Sequence, residues 1–413
     1  MKKTLIALSV LAALSISACD SNEASDAPVA TPSLTTGKAP ATSKSSTGAQ
    51  KLLDKTEFTE EGLLGMFAKK DAVTAIEYEA LLRSIEKCEV EEKNLTLPNN
   101  CVAITAIKKF NADEQFAMAK DVDVGEIKGQ LLDSNLPKLQ SWLIPQMATL
   151  FGVKEEKRNF LLGVGKTATD PLLVKTLIRT LSNEMADKNV ATYILSHADN
   201  KNSVVREAVV LSVTSSWSKN VDGIVDTALT FFKDEDLGVR KLACHYIGAL
   251  EDEKIIEPIV AILKDREQVN IHGDCTESLY TLWYDYPSHT NTSAAAYQAS
   301  VNYLQQKPRD NKFPAWVSVS NLTRINKEKI EAWKSQATYF KTDEYVALMS
   351  DIATDPDYDW LGRNAAIKVA AIWGTKNDLE AIKAKLATDT SKNASQVLRG
   401  INEAITAADK AAN

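Results

Sequence analysis

From Asp170 to near the C-terminus, stretches of ten to seventeen residues carry apolar side chains at helical spacing and alternate with short polar turns. A chain patterned this way must bury its apolar stripes helix on helix. No segment keeps a period of two, and no Asn-Gly hairpin signal occurs, so nothing calls for a sheet. The predicted fold class is all-α. Within this region two segments repeat: Ser203-Val204-Val205-Arg206-Glu207-Ala208-Val209-Val210 and Leu237-Gly238-Val239-Arg240-Lys241-Leu242-Ala243-Cys244. Their arginines stand 34 residues apart, and Leu361-Gly362-Arg363-Asn364-Ala365-Ala366 repeats the pattern more weakly 123 residues after Arg240.

An internal period of this size marks a stack of helical hairpins. The span Asp236 to Asp265 carries an acidic turn, Val-Arg-x-x-Ala, Ile247-Gly248-Ala249-Leu250, a second acidic turn and an apolar helix ending at Lys264-Asp265. It resembles the HEAT-repeat family. The resemblance is good over 199–265, fair over 355–388 and degraded between, where Trp316 stands in the place of an arginine. It implies an α-solenoid, in which each hairpin buries its apolar face on its neighbours. It also implies that Arg206 and Arg240 bond to the acidic turns of adjacent repeats as structural clamps, with Arg363 as a third, weaker repeat-signature position. The expected organisation is a helical N-terminal domain over 51–165 and a repeat array over 166–409.

The N-terminus is read separately. Met1-Lys2-Lys3 is a short positive region, and Thr4 to Ile16 is uncharged and mostly apolar. That is too short for a bilayer span, which takes about 20 residues, and has the length of a signal-peptide core. Ile16-Ser17-Ala18-Cys19 resembles the bacterial lipobox, which implies cleavage after residue 18, lipid on Cys19 and a membrane anchor. Asp20 resembles an inner-membrane retention signal that Ser21 does not strengthen. The expected place is the periplasm-facing envelope, leaning to the inner membrane with the outer one open. Residues 19–50 are rich in Ser, Thr, Ala, Pro and Gly without apolar period, the composition of a disordered tether. Its reach is roughly 30 Å.

Beyond the tether, Thr59-Glu60-Glu61 reads as a capped helix start, and Asp71 as the opening of a helix with Val73, Ile76, Leu81, Leu82 and Ile85 on its apolar face. Loss of the signal removes Lys2 and Lys3 and leaves 46 basic against 55 acidic residues, a formal charge of −9. An acidic body of this kind is repelled by phosphate backbones and anionic headgroups, which argues against nucleic acid as a partner.

Besides Cys19, four cysteines remain, an even number for an oxidising compartment. Cys88 and Cys101 flank one interhelical loop, where a bond staples a hairpin. Cys244 and Cys275 fall on equivalent helices of adjacent repeats; a disulfide is favoured there, with a zinc site shared with His272 and free thiols as alternatives. His272-Gly273-Asp274-Cys275 makes a poor nucleophile dyad, because adjacent helical residues point apart. Gly165-Lys166-Thr167 lacks the earlier glycine of a phosphate loop, Phe160 standing there. No enzyme motif survives, and no cofactor or metal is expected.

Tyr280, Trp283, Tyr284 and Tyr286 form an aromatic cluster, with Trp316 and Trp333 further on. It reads either as a binding platform or, on its helical spacing, as packing between repeats. Two functions follow as expectations. One is a non-enzymatic scaffold that holds an envelope protein along helices 203–217, 237–250 and 268–284. The other is a ligand- or peptidoglycan-binding protein that uses the aromatic cluster. An enzymatic reading by resemblance to bilin-lyase HEAT proteins has no residue to support it.

Overall fold

A computed structural model of the chain describes residues 44–67, 72–113, 116–149, 151, 153–285, 293–306, 315–325, 327–332 and 337–412. The signal, Cys19 and most of the tether lie outside the described residues, as do Asp71, Tyr286 and Trp333.

The described residues are all-helical. The first helices are α1 (Lys44–Asp54), α2 (Glu60–Gly65), α3 (Ala75–Arg83), α4 (Val102–Ala112), α5 (Val124–Leu132), α6 (Pro137–Leu143) and α7 (Lys154–Gly165). Next come α8 (Pro171–Leu181), α9 (Lys188–Leu195), α10 (Ser203–Val213), α11 (Ile224–Thr230), α12 (Leu237–Tyr246), α13 (Ile256–Lys264), α14 (His272–Tyr280) and α15 (Ala294–Leu304). The last are α16 (Ala315–Asn321), α17 (Lys327–Ala332), α18 (Thr342–Thr354), α19 (Trp360–Trp373), α20 (Lys376–Leu386) and α21 (Ala394–Ala412). Extended pairing among the described residues is confined to two isolated bridges, Val73 with Met118 and Glu91 with Thr96.

Local chemistry sets the helix starts. Asp170, Asp187, Asn202, Asp236 and Asp359 each accept a hydrogen bond from a backbone N–H two or three residues on. Each cap satisfies a donor the helix cannot pair itself and contributes about 1 kcal/mol. Thr59 caps α2 through the Gly62 N–H at 3.0 Å, as its sequence context predicts.

Three N-terminal expectations are corrected. Helix α1 begins at Lys44, inside the segment assigned to the tether. Its buried Ala49 and Leu53 pack toward α3, and two such positions straddling residue 50 are too few to show a period. The helix expected to open at Asp71 starts instead after Thr74, whose side chain and Glu77 form a reciprocal capping box. Ile76 is exposed rather than part of the core, because it sits in the first turn of α3 beside Gly48.

Along the chain α6 lies on α8, α8 on α10, α10 on α12, α12 on α14, α14 on α16, α16 on α19 and α19 on α21. Three further pairs pack beside these, α7 on α9, α13 on α15 and α18 on α20. The core lies among these helices. In α10, Val205, Ala208, Val209, Val210 and Val213 are all buried, and each buried valine is worth about 1.5 kcal/mol or more. The packing is continuous across residue 165, where α6 and α7 both meet α8, and the described residues belong to one compact unit.

Candidate functional site

The arginines of the repeated segments occupy matching positions. Arg206 donates from Nε and Nη2 to the two carboxylate oxygens of Asp234, each at 2.8 Å, and from Nη1 to the Asn200 carbonyl at 2.8 Å. Arg240 donates from Nη1 to the carbonyls of Asp234 and Glu235, at 2.6 and 3.0 Å. Both arginines therefore reach back six residues to their own turn, and Arg206 also reaches forward to the next one. Arg363 repeats the forward clamp on Asp389, and adds the Ala353 carbonyl at 2.9 Å and Ser391 Oγ at 3.0 Å. Burial works to raise the Asp234 carboxyl, but the Arg206 hydrogen bond and the Asp236 N–H outweigh it and hold it below the usual aspartate value. These residues tie neighbouring parts of the fold together.

The cysteines lie in two pairs at disulfide distance. Cys88 and Cys101 have Cα atoms 5.8 Å apart, and Cys244 and Cys275, on α12 and α14, 4.4 Å. The same approach explains Gly248, since a Cβ there would stand 2.6 Å from the Ser278 carbonyl oxygen. Among the described residues no group of three or more His, Cys, Asp or Glu side chains is placed to hold a metal.

His272 has a role that sequence reasoning missed. Its Nε2 faces the carbonyls of Ile262 and Asp265 at 3.0 and 3.1 Å, and Tyr303 Oη faces its Nδ1 at 3.3 Å. Carbonyls only accept, so Nε2 carries the proton. The bond to the carbonyl ten residues back is the one that Arg363 Nε makes with Ala353. A histidine thus substitutes for the arginine clamp, and the shift in residue type and register hides it from a repeat pattern. Burial is the main cause that pushes the His272 pKa below the ordinary histidine value, opposed by its carbonyl bonds. The unfolded chain therefore takes up a proton near pH 6.5 that the folded chain resists. Stability is full above that pH and declines as pH falls below it toward the folded value. The thermal midpoint is expected to be lower at about pH 5.5 than at about pH 7.5. The gap should narrow in His272→Gln, whose amide still donates; His197, also lowered by burial, keeps part of the slope. An unchanged slope in the variant would assign the pH dependence to other groups.

The aromatic platform is overturned. Tyr280, Trp283 and Tyr284 are 3%, 0% and 7% exposed. Tyr280 Oη donates to the Ser318 carbonyl at 3.0 Å and Tyr284 Oη to the Arg324 carbonyl at 3.1 Å. Trp283 packs against Tyr297 and Phe340, with ring centroids 5.1 and 6.1 Å away. The cluster is packing between helices, and burial raises the Tyr280 hydroxyl well above its ordinary pKa. Tyr286 lies outside the described residues.

The face expected to line a groove is also redrawn. No residue of α10 or α14 is exposed. The large apolar side chains that reach solvent there are at the helix ends: Leu237, Trp217 and Tyr246, the last two 62% and 42% exposed. The short turn Ser216–Ser218 that carries Trp217 packs on the turn Ile247–Leu250 that follows Tyr246. Beside them His245 Nδ1 stands 3.4 Å from Asp274 Oδ1, linking α12 to α14. On α10, Glu207 is raised by burial and by the charge of Asp236, and partly relieved by Lys175. Trp316, on α16, is exposed as well.

No protein-family model matches the chain, and no curated protein matches it. Among solved structures, the crystal structure of an engineered protein is similar over 87% of this chain and 99% of its own, with 14% identity and a TM-score of 0.34. A likeness that slight bears on neither fold nor function.

Proposed function

We propose that the chain is a lipid-anchored scaffold of the bacterial envelope, a HEAT-like solenoid that holds a protein partner and performs no catalysis. The lipobox-like Ile16 to Cys19 supports the anchor. The packing of helices two apart in the chain, with arginine clamps in matching register, supports the repeat reading. The observation that carries partner binding is the exposed pair Trp217 and Tyr246 at neighbouring helix ends. Aromatic side chains dominate binding hot spots, and two on adjoining turns are an anchor that a folded chain has no internal use for.

The test is a crosslinked pull-down of the full lipoprotein from its native membranes, beside Cys19→Ser and Trp217→Ala/Tyr246→Ala variants. The expected result is one stoichiometric envelope protein whose recovery falls about ten-fold or more in the double variant, the loss of a typical hot spot. Recovery of abundant bystanders alone, or equal capture by the double variant, overturns the scaffold reading.

A further inference from the structure

The loop 89–100, which leads into α4, is fastened at its base, its middle and its far end. Cys88 and Cys101 close the base, with Cα atoms 5.8 Å apart. In the middle, the Glu91 N–H donates to the Thr96 carbonyl at 2.9 Å. The far end lies on α8, where Lys175 Nζ donates to the carbonyls of Asn94 and Leu95, the second at 3.2 Å. Leu95 is 9% exposed and has a φ of 45°. A bulky side chain takes up that left-handed backbone only where its surroundings hold it there. Glu91 to Asn94 are exposed beside it.

The two cysteine pairs differ in what can reach them. Cys244 and Cys275 are fully buried within α12 and α14. Cys88 is 1% exposed, but Cys101 is half-buried and stands at the N-cap of α4, where its side chain makes no capping hydrogen bond. The first N–H groups of a helix lack partners within it, and with the helix dipole they favour an anion. They are placed to stabilise a thiolate released on Cys101, and a stabilised thiolate is the better leaving group.

We propose that Cys88–Cys101 is a reversible redox site for a dithiol reductant, and that opening it releases the loop 89–100 from α8. One thiolate of the dithiol attacks Cys101 Sγ to form a mixed disulfide, and Cys88 departs as a thiolate that takes up a proton. The second thiolate of the dithiol attacks the reductant's sulfur in that mixed disulfide, and Cys101 departs as the thiolate at the start of α4. Two electrons pass to the protein, and the reductant leaves as a disulfide. Without the staple, holding the loop in one place costs more conformational entropy. The Lys175 clamp and the Glu91–Thr96 pair are then left to keep Leu95 in its strained backbone. Lys175 already feels the charge of Glu207 on α10, and release of the loop leaves it to that carboxylate. The inference rests on this loop and is independent of the scaffold reading.

Limited proteolysis of the full folded protein in dithiothreitol redox buffers tests it, with free thiols trapped by iodoacetamide and located by mass spectrometry. The expected result is that Cys88 and Cys101 take the label while Cys244 and Cys275 stay joined. In that state trypsin should cut after Lys93 about ten-fold or more faster than in the oxidised protein, since cleavage follows the population of the open loop. Reoxidation should restore the slow rate. Cutting after Lys219, exposed between α10 and α11, should not change. Cys88→Ser/Cys101→Ser, its folding checked by circular dichroism, should be cut after Lys93 at the fast rate without reductant. The proposal is overturned if both cysteine pairs take the label together, or if Lys93 is cut no faster once Cys88–Cys101 is open. A matching rise at Lys219 overturns it too, because the whole fold would then have loosened.

Discussion

Replacing Arg363 by methionine is expected to lower unfolding stability by about 3–5 kcal/mol, the range for breaking one side of a buried ion pair. The guanidinium is 2% exposed and its partner Asp389 9%, so neither is screened by water. Removing the arginine leaves the Asp389 carboxylate without its cation, and takes the Nε–H donor from the Ala353 carbonyl. At present burial tends to raise the Asp389 carboxyl, but the Ser391 N–H and the Arg363 clamp hold it below the ordinary aspartate value. A depressed carboxylate stabilises the fold above its unfolded pKa, near 4, and the benefit is lost as pH falls through the folded value. The penalty of Arg363→Met should therefore be largest near neutrality and shrink at acid pH. Arg399, paired with Glu403 at 3.8 Å with both side chains 73% exposed, is the control, and Arg399→Met should cost under about 0.5 kcal/mol. Urea unfolding followed by circular dichroism measures both. Equal costs for the two variants would mean that the clamp is ornamental.

The second large effect belongs to Cys244 and Cys275. Both are fully buried and join α12 to α14 across 31 residues of chain. On the chain-entropy account a loop of that length stabilises by about 4 kcal/mol, against about 3 kcal/mol for the 13-residue loop of Cys88 and Cys101. The Cys244→Ala/Cys275→Ala protein should lose about that much, and with both proteins unfolded in reductant, so that Cys88–Cys101 is open in each, wild type and variant should share one midpoint. Full burial should also make reduction of this pair slow in the native state, while Cys101, which is half-buried, gives its pair an approach for thiolate. No loss in the double variant would mean that the sulfurs are not joined in the working protein.

Much of the fold was legible because it rests on short-range chemistry. Asp170, Asn202, Asp236 and Asp359 cap their helices through bonds spanning two or three residues, so a reader of the sequence sees donor and acceptor together. The arginine clamps were legible only in part: Arg206 reaches the carboxylate of Asp234 in the next turn, as the resemblance implies, whereas the bonds of Arg240 go back to the Asp234 and Glu235 carbonyls of its own turn. The sequence leaves three pairings of the four cysteines open, and the structure brings Cys88 and Cys101, which end one loop, to disulfide distance.

What the sequence alone determined, then, is the helical class and those helix starts that a side chain caps two or three residues away, such as Thr59 for α2, since each depends on neighbours along the chain or on a regular period; the starts of α1 and α3 were not among them. Only the tertiary structure decided which faces are covered. The spacing of Tyr280, Trp283 and Tyr284 marks a helix face and leaves platform and packing both open, and Phe340 and Tyr339, more than fifty residues on, close over it and decide for packing. His272 became a clamp by the same cause. A side chain's burial is set by whatever packs against it, and in a stack of helices that partner lies a whole repeat or more away, beyond the range in which local pattern carries information.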